Sequence, residues 1–127
     1  MFETVSKYQV PYILMHMRGN PQNMMNKSNY EDVTKDVCKY FSERIVKAES
    51  FGINDIIVDP GFGFAKTIKQ NYELLNNLEI LNQFERPILV GVSRKSMIYK
   101  TLKTTPEEAL NGSSILNTIS LIKEQTY

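Results

Sequence analysis

Short apolar runs alternate along this chain with stretches in which apolar residues return every three or four positions. Val10-Pro11-Tyr12-Ile13-Leu14-Met15 reads as a short buried strand, and Ile56-Ile57-Val58, three β-branched residues in a row, reads as a second. Arg86-Pro87-Ile88-Leu89-Val90-Gly91-Val92 is the third, nearly all apolar, as a strand covered on both faces should be. Between the first two, Val33, Val37, Tyr40, Phe41, Ile45 and Ala48 mark an amphipathic helix from about Asn29 to Phe51, with Gly52 at the place of a C-terminal cap. Cys38 lies near its apolar face and reads as a small core residue. After the second strand, Thr67-Ile68-Lys69-Gln70 has the capping-box pattern and Tyr72, Leu75, Leu78 and Leu81 supply the helical stripe. Thr105-Pro106-Glu107-Glu108 is a second capping box, opening a helix through Ala109, Ile115, Leu116, Ile119 and Ile122, with Gly112 permitting close packing. Residues 1–9 resemble the last turns of a helix, with Phe2, Val5 and Tyr8 on one face.

Strand alternating with helix predicts a parallel α/β architecture. From His16 to Asp59 the chain advances 43 residues, and from Asp59 to Ser93 it advances 34. A (β/α)8 barrel of about 250 residues averages roughly 31 per unit, so both steps suit barrel units. Three strands cannot close a barrel. A doubly wound sheet would not need closure, but neither Gly-x-Gly-x-x-Gly nor a Walker loop occurs here.

Composition narrows the partners more than the fold. At 127 residues, 42% hydrophobic and 23% charged, this is ordinary globular material for one domain spanning 1–127. Fifteen basic against fourteen acidic residues leave a net charge of +1, so neither nucleic acid nor an anionic membrane is indicated. One cysteine and one histidine cannot make a tetrahedral zinc site by themselves, and a lone thiol fits a reducing, cytoplasmic setting. No apolar run approaches the ~20 residues that span a bilayer.

The chemistry-bearing residues gather where the three strands end. Asp59 closes the second strand, and Pro60, Gly61 and Gly63 then stop the ladder and let the backbone approach a ligand closely. Phe62 and Phe64 are expected as apolar walls beside it, with Lys66 adding a charge. Taken alone, Asp-Pro-Gly is common turn chemistry in which Asp59 caps the backbone and the phenylalanines fill core. His16-Met17-Arg18-Gly19-Asn20-Pro21 leaves the first strand, and Ser93-Arg94-Lys95 leaves the third. A carboxylate, a hydroxyl and two cations thus converge on one end of the sheet.

With Met15-His16-Met17-Arg18-Gly19-Asn20-Pro21, Asp59-Pro60-Gly61-Phe62-Gly63-Phe64-Ala65-Lys66 and Gly91-Val92-Ser93-Arg94-Lys95 in this order and spacing, the sequence resembles dihydropteroate synthase over essentially its whole length. The resemblance implies an incomplete TIM (β/α)8 barrel of the pterin-binding type. It also implies condensation of 6-hydroxymethyl-7,8-dihydropterin pyrophosphate with p-aminobenzoate, releasing pyrophosphate, with Mg²⁺ assisting. Asp59 and Lys95 are then the catalytic pair: Asp59 binds the pterin's amino and ring N–H edge, Lys95 its carbonyl and ring nitrogen. Met17 and Gly91 complete the pterin contacts. Gly63, Phe64 and Ser93 border p-aminobenzoate. His16 is implied to be a packed structural residue, Arg94 structural support, and Lys66 a loop anchor.

By the same resemblance the chain covers the fifth to seventh barrel strands. The loops expected to hold Mg²⁺ and most of the pyrophosphate are not in it, so no metal ligand is assigned here. The expectation is a fragment, a truncated gene product or half of a split enzyme, inactive alone, whose partner is a second copy or a complementing chain. The alternatives are a non-catalytic pterin-binding remnant and a methyltetrahydrofolate methyltransferase-type barrel.

Overall fold

The computed structural model describes residues 1–18 and 30–124. Gly19, Asn20 and Pro21 of the first motif, Asn29 and Tyr127 lie outside the described residues. The elements run α1 (Phe2–Tyr8), β1 (Tyr12–Met15), α2 (Val33–Ser50), β2 (Ile56–Asp59), α3 (Ile68–Asn76), a 3-10 helix (Leu78–Phe84), α4 (Ser96–Tyr99), a 3-10 turn (Pro106–Glu108) and α5 (Leu110–Lys123). β1 and β2 pair in parallel, with Met15 opposite Asp59, which brings both functional strand ends to one level.

Helices α2 and α3 form where the apolar period places them, whereas the expected apolar positions Ile115 and Ile122 of α5 and Tyr8 of α1 are exposed, because α5 packs through Gly112, Ser113, Leu116 and Ser120 and only Phe2 of α1 is buried. Asp32 caps α2 by accepting from Lys35 N–H at 3.0 Å, and Val33, Val37, Phe41, Ile45 and Ala48 are buried along one face. Gly52, at φ 83°, returns its N–H to Glu49 O and ends the helix as expected. The capping box at α3 is complete: Thr67 accepts from Gln70 N–H and Gln70 accepts from Thr67 N–H. The box expected at Thr105 does not form. Pro106–Glu108 turns as a 3-10 segment instead, and it is Thr104 whose hydroxyl donates to Glu108, at 2.8 Å.

The third expected strand is reduced to one parallel bridge, Ile88 beside Val58. Its bonds are Val58 N–H to Pro87 O at 2.9 Å and Leu89 N–H to Val58 O at 2.8 Å. Pro87 has no N–H to lend, and among the described residues no strand pairs with its other edge, so a longer ladder has nothing to propagate along. The expectation that this strand is covered on both faces also fails, because Leu89 is 36% exposed. The same asymmetry holds across the sheet. Leu14, Ile56 and Val58 point into the helices and are fully buried, whereas Ile13 on the opposite face is 51% exposed. The face that a closed barrel fills with side chains is open here. Among the described residues no helix is long and apolar enough to cross a membrane.

Helix α5 packs onto α4 at Gly112, where an added Cβ would stand 2.5 Å from Ile98 Cγ2 and 3.1 Å from Leu102 Cδ1. Ile98 is β-branched and buried, so it has little room to yield. Gly112→Ala should therefore destabilise the chain by about 1–3 kcal/mol, the usual effect of forcing a methyl into a packed core. Gly91→Ala, where an added Cβ meets nothing within 4 Å, should change stability by no more than about 0.5 kcal/mol. Urea unfolding of the two variants checks this; equal midpoints would mean that α5 does not dock on Ile98.

Candidate functional site

Three chain segments leave the sheet at one end. The first turns after Met15 through His16, Met17 and Arg18, and its backbone joins the second when His16 N–H donates to Asp59 O at 2.9 Å. The second segment then runs so close that a Cβ on Gly61 would stand 2.1 Å from His16 O. Gly61 is at φ 70°, Gly63 at φ 85° and Ala65 at φ 54°, so the Pro60–Lys66 loop reverses repeatedly in a small space.

Asp59 ends β2 half-buried on the open face. Its Oδ1 accepts from Gly61 N–H at 2.8 Å, the turn-capping role that Asp-Pro-Gly alone would suggest. No other group among the described residues hydrogen-bonds to this carboxylate, so Oδ2 remains available to a ligand. Burial raises its pKa above the usual carboxylate value, opposed by the Gly61 N–H and by the Lys95 and Lys66 charges.

Lys95 reaches across from the third segment. Its Nζ donates to Phe62 O at 2.5 Å and stands 5.0 Å from the centre of the Phe64 ring. Gly63 adjoins its stem, since a Cβ there would meet Lys95 Cδ at 3.4 Å. Burial lowers the Lys95 pKa and the Asp59 charge opposes that. Asp59, Gly63, Phe64 and Lys95 are thus brought together as expected. Phe62 is not a wall of this cleft, because its ring is wholly buried in the core and only its carbonyl faces the site. The alternation of left-handed residues turns Phe62 inward and leaves Phe64 half-buried at the surface.

The other expected ligand residues are looser. Met17 and Gly91 are half-buried at the ends of their segments, and Ser93 is exposed, with no side-chain hydrogen bond to the described residues. Arg94 is likewise exposed. Lys66 is an anchor: 4% exposed, its Nζ donates to Gly61 O at 2.8 Å and Phe64 O at 3.0 Å. Burial depresses its pKa to about 7. A neutral amine still carries two N–H donors, one for each of these carbonyls, so the anchor survives deprotonation.

Sequence reasoning passed over Asp36. It lies in the first turn of α2, where it receives Arg18 Nη2 at 2.7 Å and approaches His16 Nε2 at 3.4 Å. Arg18 also lies over the Tyr30 ring at 4.0 Å. An acid at the start of an amphipathic helix reads as a macrodipole partner, so only the fold reveals that it steadies the loop after β1. A wide groove of about 570 Å³ borders this cluster, lined by Arg18, Glu31, Asp32, Lys35, Asp36 and Lys39. Its three acids balance its three bases, which suits a solvated surface better than recognition of one charged ligand. Among the described residues no group of three or more His, Cys, Asp or Glu side chains could hold a metal ion.

Residues 1–123 match the sequence pattern of the family described as pterin binding enzyme. The chain belongs to that family. Among its relatives, the dihydropteroate synthase of Escherichia coli K12 is 44% identical over 113 residues, covering 87% of this chain and 40% of the relative. That of Clostridium beijerinckii is 39% identical over 126 residues, covering 98% and 44%. The chain therefore spans less than half the length of these relatives. Yersinia pestis dihydropteroate synthase, solved with a sulfonamide drug complex, superposes with TM-score 0.92 at 39% identity over 96% of this chain and 45% of that one. The Thermus thermophilus enzyme in complex with 4-aminobenzoate gives TM-score 0.92 at 30% identity, covering 96% and 51%. The fold of the chain is thus an incomplete TIM barrel.

His16 is 1% exposed, with its ring edge-on to Tyr40 at 5.0 Å and Nδ1 without a hydrogen-bond partner among the described residues. Burial and the Lys66 charge outweigh Asp36 and depress its pKa to about 4. At neutral pH the imidazole is uncharged, and its 3.4 Å approach to Asp36 is a long hydrogen bond, not an ion pair. Between about pH 6.5 and 4 the unfolded chain binds a proton at residue 16 that the folded chain refuses, so acidification through this window costs stability. His16→Phe should flatten that part of the curve. Urea midpoints recorded for both proteins from neutral pH downward give the comparison, and parallel curves would show that His16 is protonated in the fold.

Proposed function

We propose that this chain carries the part of dihydropteroate synthase that grips the pterin and borders p-aminobenzoate, in the condensation of 6-hydroxymethyl-7,8-dihydropterin pyrophosphate with p-aminobenzoate to 7,8-dihydropteroate and pyrophosphate. The observation that carries it is the gathering of Asp59, Gly63, Phe64 and Lys95 at one end of the sheet, with Lys95 Nζ bonded to Phe62 O and 5.0 Å from the centre of the Phe64 ring, and the Asp59 and Lys95 charges near enough to favour one another. An ionised carboxylate only accepts and an ammonium only donates. Together they fit a flat heterocycle with an amino and N–H edge on one side and a carbonyl and ring nitrogen on another.

In this reading Asp59 Oδ2 takes the pterin's donors and Lys95 Nζ its acceptors, exchanging part of its bond to Phe62 O for the ligand. Met17 packs on the pterin, and Gly91 leaves space below it. Phe64 and Gly63 offer a flat flank to the p-aminobenzoate ring, and the exposed Ser93 hydroxyl donates to its carboxylate. The arylamine nitrogen attacks the pterin methylene as its C–O bond to pyrophosphate breaks, and the alkylated nitrogen then releases its proton to the departing pyrophosphate or solvent. Asp59 favours the positive charge that develops on the pterin, so the contribution of these residues is fixed electrostatics and orientation, without proton transfer. Mg²⁺ would neutralise pyrophosphate from ligands outside the described residues. A complementing polypeptide or a second copy would cover the open sheet face.

Titrating 6-hydroxymethylpterin into the chain by fluorescence tests the first half of this reading. Loss of one charge-assisted hydrogen bond, about 1.5–3 kcal/mol, should weaken binding by roughly 10- to 100-fold in Asp59→Asn and in Lys95→Met. Product from labelled p-aminobenzoate, dihydropterin pyrophosphate and Mg²⁺ should appear when polypeptides supplying the rest of the barrel are added. Wild-type affinity in both variants would overturn the site. Binding without product under complementation would favour a non-catalytic remnant.

A further inference from the structure

Both loops that would touch ligand hold a left-handed residue at the point of contact. Gly63 at φ 85° lies beside Lys95, and Arg94 at φ 52° immediately precedes it. In each case the N–H of that residue is taken by a side chain of a helix further along the chain. Gly63 N–H donates to Asn71 Oδ1, on α3, at 2.8 Å, and Arg94 N–H donates to Ser113 Oγ, on α5, at 2.8 Å. The two acceptors are 2% and 3% exposed.

The orientation of each acceptor is fixed. Asn71 Nδ2 donates to Thr67 O at 2.9 Å, which turns its oxygen toward the loop. The Ser113 hydroxyl donates to Ala109 O at 3.1 Å, leaving its lone pairs for Arg94. Helix stability does not explain either residue, since Asn and Ser in a helix interior are weaker choices than Ala. Both bonds are part-buried, so loss of either would cost about 0.5–1.5 kcal/mol, and at Arg94 it falls on a turn already strained at a non-glycine left-handed residue.

We infer that Asn71 and Ser113 are positioning residues for the two halves of the cleft, Asn71 holding the Gly63-Phe64 wall beside p-aminobenzoate and Ser113 holding the turn that aims Lys95 at the pterin. This rests on the functional reading above. Because each clamp serves a different wall, their loss has crossed effects that a general loss of stability would not produce.

The test measures p-aminobenzoate and 6-hydroxymethylpterin binding to the chain by NMR titration, with amide hydrogen exchange at Gly63 and Arg94 on the same samples. Ser113→Ala should weaken the pterin about tenfold, the scale of one buried hydrogen bond, and p-aminobenzoate less than about twofold. Asn71→Leu should show the reverse. Ser113→Thr, which keeps the hydroxyl, should restore pterin binding, and this pair of variants decides the matter if Asn71→Leu does not fold. Equal weakening of both ligands, or unchanged binding, overturns the inference. If the wild-type chain binds neither ligand, the functional reading fails and the amides decide the clamps: slow exchange at Gly63 and Arg94, each released only by its own variant, sustains them, and fast exchange in wild type overturns them.

Discussion

The site depends on one close backbone contact. Gly61 passes His16 so tightly that a Cβ would overlap His16 O at 2.1 Å, a collision with main chain that no rotamer change relieves. Parallel pairing in the register Met15 to Asp59 forces this approach, because both strands leave the sheet at the same level and the loop after β2 must cross the end of β1. Only glycine permits it, and its positive φ then dictates the reversals at Gly63 and Ala65. Those reversals turn Phe62 into the core and Phe64 outward, and aim the carbonyls of Gly61, Phe62 and Phe64 at ammonium groups.

That carbonyl arrangement accounts for two lysines in a small volume. Gly61 O also accepts the Phe64 N–H at 3.1 Å, whereas the part-buried carbonyls of Phe62 and Phe64 are met by the lysines. Lys66 answers two and Lys95 the third. The burden falls on charge: Lys66 is almost wholly enclosed, and desolvation outweighs the attraction of Asp59 strongly enough to bring its pKa near neutrality. His16, beside it, is driven further from protonation by the same cation. Asp59 is the acid facing both lysines, which is why its burial does not leave it an isolated charge.

What the sequence made legible was local. The period of α2, the capping box at Thr67 and the placement of Asp59 and Lys95 at segment ends all follow from neighbours a few residues away. The third strand did not, since a ladder belongs to both its partners and Pro87 removes a donor from one that has only Val58 beside it. The Thr105 box failed for a similar reason: the pattern suited two adjacent threonines, and Thr104 captured Glu108. Phe62 and Phe64 are equivalent by composition and separate only through backbone signs that no apolar count reveals. Asp36, Asn71 and Ser113 were invisible because their partners lie 18, 8 and 19 residues away in sequence.

Strand alternation links the open face to the chemistry. In β2 the period of two that buries Ile56 and Val58 under the helices turns Ile57 and Asp59 the other way, toward the face on which Ile13 is also exposed. A carboxylate at the last position of that face can meet a ligand only because the helix layer lies on the opposite side. A shift of one residue in the β2 pattern would place Val58 in the open and Asp59 in the core, where the carboxylate would face apolar side chains without either lysine. The exposed apolar face and the acid at its rim are therefore one feature of the sequence, and any group that covered Ile13 and Leu89 would also lower the dielectric around Asp59 and Lys95 and strengthen the attraction between their charges.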